Sequence, residues 1–259
     1  MPWLAVQRWA FRLLWASIVA ATAAATSWAP AQAQAQKGPM DEKALSILKA
    51  MSDYIGGSKT VSFRAKTFFD VVRESGIKIK AGRESRVSLK RPKQLSILVE
   101  GDDGSAVTIW YDGSKLTLWR RDANEVMSLD FAGTTDAMFD HLIKTYDAQL
   151  PLADLFYSDL NKTFREDLVS AKYIGLRIVD GVECHQLSFE SPGADWQIWI
   201  EADSTPVPRR FVIDFVADDN KPQYMARMDA WSIGGKIEDF NFVAAVPESV
   251  SQVEFKLNP

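Results

Sequence analysis

Two histidines, His141 and His185, and one cysteine, Cys184, are the residues of this 259-residue chain best suited to acid, base or nucleophilic work. Cys184 and His185 are adjacent, and a Cys/His pair can generate a thiolate nucleophile. They lie in "DGVECHQLSFE", which alternates as a strand, so consecutive side chains leave opposite faces and the two groups diverge. Asp180 and Gly181 read as a two-residue hairpin turn, which sets Val179 against Val182, Leu176 against His185 and Ile174 against Leu187. His185 then faces an apolar surface, where a neutral imidazole needs a hydrogen-bond partner. Cys184 falls opposite Arg177 on the other face, where its thiol is expected to label faster than a core cysteine. His141 sits beside Leu142 and Ile143 in a helical pattern, the ordinary setting of a partly packed helix histidine.

Other chemistry finds little support. The two histidines and one cysteine have no zinc-ligand spacing. The acid pairs at 102–103, 218–219 and 238–239 fall in turns, where aspartate serves backbone geometry. There is no Gly-rich phosphate loop and no GxSxG elbow. Basic residues gather in "SLKRPK" and "WRR" without the interleaved aromatics of a single-strand nucleic-acid platform. Neither a catalytic residue, nor a metal, nor a cofactor is expected, and the chain reads as a non-enzyme.

If not catalysis, the elements must serve something else, and the N-terminus says where. Arg8 and Arg12 precede an apolar run from Leu13 to Trp28, followed by "APAQAQAQ" with small residues at alternate positions. This is the order of a secretory signal peptide, cleaved after Ala33 or Ala35, with Ala35 the expected site, and too short for a spanning helix. Residues 36–259 are expected to form a single domain, exported and without stable membrane insertion. Removing Arg8 and Arg12 leaves 28 basic against 34 acidic residues, a net charge of −6 that disfavours nucleic acid. One cysteine cannot form an internal disulfide, so packing must supply the stability.

Ala44, Leu45, Leu48, Met51 and Ile55 recur at helical spacing and predict a helix over 41–55, ended by Gly56 and Gly57. The period then drops to two from Val61 to Val71, and a second strand runs over 77–89. In "QLSILVEGDDGSAVTIWYDGSKLTLW", a three-residue loop with left-handed Gly104 sets Val99 against Val107 and Ile97 against Ile109. Asp112 and Gly113, taken as the next turn, set Ile109 against Leu116 and Val107 against Leu118. Leu95, Ile97, Val99, Val107, Ile109, Leu116 and Leu118 thus share one apolar face, with a wet face opposite. Residues 134–168 carry three short helical patterns: one capped at Thr134 or Thr135, one starting at Pro151, and "NKTFREDL". About ten to eleven antiparallel strands are expected in all.

"KRPKQLSILV", "IWYDGSKLTLW", the helical insertion and the terminal "FNFVAAVPESV" resemble, in that order, the outer-membrane lipoprotein carrier fold of Gram-negative bacteria. "YDGSKLTLW", "DGVECHQLSFE", "DWQIWIE" and "PVPRRFVIDF" are similar to a family of predicted periplasmic proteins of unknown function with that fold. The resemblance implies an α+β half-barrel: an incomplete antiparallel β-barrel whose concave face is covered by an N-terminal helix and inserted short helices. It implies a periplasmic binding protein for a lipid, acyl chain, acylated protein or other apolar ligand. Phe63, Leu95, Ile97, Ile109, Leu116, His185, Ile198 and Phe211 are the expected lining. The other reading is a non-enzymatic envelope sensor with a protein partner, as in stress regulators that use a similar half-barrel. One departure stands out: carriers tie the lid with an arginine on the strand after the "RP" turn, and here that stretch reads Lys93, Gln94, Leu95, Ser96.

Overall fold

Asp41 caps helix α1, Glu42–Gly56, its carboxylate accepting from the Lys43 N–H. The helix buries Ala44, Leu45, Leu48, Met51 and Ile55, the residues its spacing predicts. The structure is a computed structural model that describes residues 38–148 and 152–256. The expected signal peptide, 1–35, and the helical start at Pro151 lie outside the described residues.

Two antiparallel meanders follow. The first comprises β1 (Thr60–Val72), β2 (Lys78–Lys90), β3 (Gln94–Gly101), β4 (Ala106–Tyr111), β5 (Lys115–Arg120) and β6 (Glu125–Asp130). The second comprises β7 (Ser170–Val179), β8 (Val182–Ser191), β9 (Ala194–Glu201), β10 (Pro208–Asp214) and β11 (Gln223–Ile233). Pairing of β1 with β11 joins them into one sheet. A two-residue strand, β12 (Ser251–Gln252), adds to β6 in parallel, giving twelve strands in the order β12-β6-β5-β4-β3-β2-β1-β11-β10-β9-β8-β7. The two end strands do not pair, so the curved sheet stays open, an incomplete barrel with one strand more than the upper expectation.

Helices α2 (Thr135–Tyr146) and α3 (Leu160–Arg165), with a 3-10 turn at Ala153–Leu155 between them, lie in the connection from β6 to β7. Thr134 caps α2 through the Ala137 N–H. These segments and α1 pack on the concave face, where Leu48, Met51, Leu155 and Phe164 meet Leu187, Ile198, Phe211 and Met228 in one apolar core. Burying each such side chain stabilises by roughly 1.5–3 kcal/mol. After β11 the chain turns onto the other face: Asp239 pairs with Lys90, and Phe242, in a second 3-10 turn at Asp239–Phe242, is buried.

The turns decide the register. Gly104 is left-handed at φ 85° and Val99 pairs Val107, as the three-residue loop requires. Asp180 and Gly181 both have positive φ, 48° and 84°, and Leu176 meets His185 as expected. Two hairpins differ. Tyr173, rather than Ile174, meets Leu187, because a bulge at Gly175 inserts one residue into β7. Likewise Ile109 meets Leu118, Tyr111 meets Leu116 and Val107 meets Arg120 rather than Leu118, two residues from the expected register. The reversal is made by Gly113 and Ser114, with the Asp112 carboxylate accepting from the Ser114 and Lys115 N–H groups. A shift of two keeps parity, so the apolar residues still share one face.

The opposite face is drier than expected. Thr108 and Thr117 are buried there, and Trp110 stacks on Trp119 with ring centroids 6.4 Å apart.

Candidate functional site

The concave face has two halves. Along β3 exposure rises from Leu95, buried at 1%, through half-buried Ile97 and Val99. On β4 it rises from Tyr111, fully buried, to half-buried Ile109 and Val107, and on β5 from buried Leu116 to half-buried Leu118. On β1 the series runs from Phe63 to Val71, and on β2 from Leu89 to Ile79, each ending more than 40% exposed. The registers place all these side chains on one face. Helices therefore fill one half, and towards the β1–β2 hairpin tip they leave an apolar trough of Phe69, Val71, Ile79, Ile97, Val99, Val107, Ile109 and Leu118.

The filled half is closed. The gap bounded by Leu152, Asp154, Leu155, Phe164, Ile198, Phe211 and Met228 does not admit a water-sized sphere. Its aromatics interlock, Phe164 lying 5.6 Å from Trp196, which lies 5.6 Å from Phe211.

The expected lining residues divide accordingly. Phe63, Leu95, Leu116, Ile198 and Phe211 are buried in the packed core, while Ile97 and Ile109 border the trough half-buried. His185 is on the concave face but far along the sheet, on β8. Its Nδ1 shares a hydrogen bond with the Tyr173 hydroxyl at 3.2 Å, and Lys43 lies over the Tyr173 ring. Burial, assisted by Lys43, lowers the imidazole pKa. The partner that a histidine there requires is thus Tyr173.

Cys184 does face away from His185 and opposite Arg177, yet it is fully buried, contrary to the expected accessible thiol. Val179, Trp199 and the flanking Val182 and Val212 form a small apolar cluster over it. Burial pushes the thiol pKa to about 11. Strand parity located the face, but parity alone could not show that the face carries its own cluster. His141 stacks on Phe131, 4.9 Å between centroids, with Thr145 bonded to its Nδ1. Among the described residues no three His, Cys, Asp or Glu side chains gather as metal ligands, and no helix is long and apolar enough to cross a membrane.

One guanidinium missed from the sequence ties the helical cover to the sheet. Arg91 donates to the Ser58 carbonyl at 3.2 Å and the Tyr157 carbonyl at 3.0 Å, with longer contacts to Ile55 and Phe156. It thereby joins the end of α1 to the segment following the 3-10 turn. Burial lowers its pKa, and Asp136 opposes that shift. Asp136 itself accepts from the Ser158 N–H and hydroxyl. An arginine therefore meets the cover from before the proline of "RP" rather than from the strand that follows it.

The sequence model of a family described as predicted periplasmic protein (DUF2092) matches residues 44–256. No curated protein matches the chain at a significant level. Solved structures with related arrangements include the lipoprotein LppX of Mycobacterium tuberculosis, 13% identical over 80% of this chain and 100% of that one, with a TM-score of 0.45. A LolA superfamily protein of Nitrosomonas europaea is 10% identical over 78% of this chain and 97% of that one, TM-score 0.41. In the MucA/MucB complex of Pseudomonas aeruginosa the matched chain is 11% identical over 78% of this chain and 61% of that one, TM-score 0.42.

Proposed function

The chain belongs to the DUF2092 family of predicted periplasmic proteins, and from that premise we propose that it is a non-enzymatic binding protein that holds a lipid, acyl chain or other apolar ligand on its concave face. The expected periplasmic location agrees with the family's description. The observation that carries the proposal is the exposure gradient. Five adjacent strands turn apolar side chains to one face, helices cover these residues at one end, and at the other end the same face remains open. Contiguous apolar surface left in water is the usual mark of a binding surface. The ligand's place is the trough, from Ile97 and Ile109 out to Val71 and Ile79, rather than the packed end at Ile198 and Phe211.

The test is uptake of the neutral fluorophore N-phenyl-1-naphthylamine by the mature protein and its displacement by an acyl compound. Saturable uptake that a Val107→Trp substitution abolishes supports the reading; absence of uptake by the folded wild type overturns it.

A second reading, an envelope sensor that binds another protein, has one feature in its favour. Ile174, Leu176 and Ile178 are 38%, 45% and 67% exposed along β7, the end strand of the sheet, which presents unpaired backbone groups beside them.

A further inference from the structure

From β1 to β6 the concave register is almost free of charge. Its charged members are Arg83 on β2, Arg120 on β5 and Glu125 on β6, and the last two pair with each other. Arg83 is set between Thr67 on one side and Gly101 on the other, beyond Val99 in the open half. Its guanidinium lies over the Phe69 ring, 5.0 Å from the centroid. The nearby Asp103 carboxylate accepts from the Ser105 backbone N–H at 2.9 Å, and hydrogen bonds from Ser105, with a smaller contribution from the Arg83 charge, hold it below the usual carboxylate range. Asp102 stands against Gly82, whose position belongs to the opposite face. An exposed cation thus stands in an apolar trough, with the Asp103 carboxylate beside it engaged by Ser105.

We propose that Arg83 is the head-group anchor of that trough and that the ligand is an anionic amphiphile. Its apolar part lies against Val99, Val107, Ile109 and Leu118, and a carboxylate or phosphate head meets the guanidinium. This rests on the trough being the ligand site. The physical argument is desolvation: a chain laid over Val99 and Phe69 removes water from Arg83, and a charge losing its water needs an opposite charge or hydrogen-bond acceptors. An anionic head supplies both, and a guanidinium suits the planar carboxylate and the phosphate equally. A neutral head leaves the cation less well paired.

The test compares dodecanoate with dodecan-1-ol as displacers of N-phenyl-1-naphthylamine at pH 8, with sodium acetate as the anion lacking a chain. Wild type is expected to favour dodecanoate about fivefold, the scale of a partly exposed ion pair. Arg83→Gln, at an exposed position, should keep its melting temperature and bind both equally, and Arg83→Lys should retain part of the preference. Equal displacement of wild type by acid and alcohol overturns this inference and leaves the trough standing, as does a preference that survives Arg83→Gln. Displacement by acetate alone also overturns it, since the site would then be one for small anions. If neither the fluorophore nor either chain binds, the trough reading itself fails.

Discussion

At Arg91 one guanidinium answers carbonyls from two segments that are distant in sequence, the end of α1 and the stretch after the 3-10 turn. Hydrogen bonds to a charged donor are worth more than neutral ones, and losing the donor strands buried acceptors. Arg91→Met should therefore cost about 3 kcal/mol in urea unfolding, with faster amide exchange concentrated near Ser58 and Tyr157. At Cys184, a pKa of about 11 leaves ~100-fold less thiolate than an ordinary thiol near 9. Native labelling with a thiol reagent at pH 8 should be slower than in denaturant by at least that factor, and comparable rates would refute the buried cluster. At His185, burial and Lys43 place the folded pKa below the unfolded one. The unfolded state then binds more protons, so stability rises with pH across this interval. The contribution is full above the unfolded value and falls away as pH drops through the folded one. Comparing urea midpoints at pH 7.5 and 5.5 should show a loss in wild type that is smaller in His185→Gln.

Element by element, the sequence is most readable where side-chain period and turn chemistry act together. The face of α1, the Gly104 loop and the Asp180–Gly181 hairpin all follow from local rules. The misread hairpin shows the limit. Asp112 and Gly113 look like a turn, but Asp112 serves better as the carboxylate that caps the turn made by Gly113 and Ser114. The bulge at Gly175 was legible only as a glycine inside a strand. Which half of the concave face is filled was not legible at all, because it depends on where α1, α2 and α3 land, and strand periodicity is the same along the whole of β3. That single strand offers a test of the division. Leu95→Ala, in the packed half, should cost about 3 kcal/mol, and Val99→Ala, in the trough, about 1 kcal/mol or less. The order should reverse for fluorophore affinity, which Val99→Ala lowers.

On the scale of the molecule, an open twelve-stranded sheet with helices on one face has more concave surface than its helices cover. The acidic composition disfavours nucleic acid, and the titratable residues form no visible catalytic set, which leaves the apolar surface as the feature that points to a function. Five of the eight expected lining residues turned out to be core, because a sequence pattern marks the apolar face without showing how much of it other elements fill. Arg83, one cation within an apolar column, was hidden by the same ignorance of which end is open. The central claim is that the open end holds an apolar ligand, and native mass spectrometry of the mature protein purified from a bacterial periplasm tests it most directly. The account predicts an adduct that organic extraction releases as an acyl-bearing species and that a folded Val107→Trp variant does not carry. A bare protein mass that stays bare after incubation with dodecanoate, or an adduct retained equally by that variant, would contradict it.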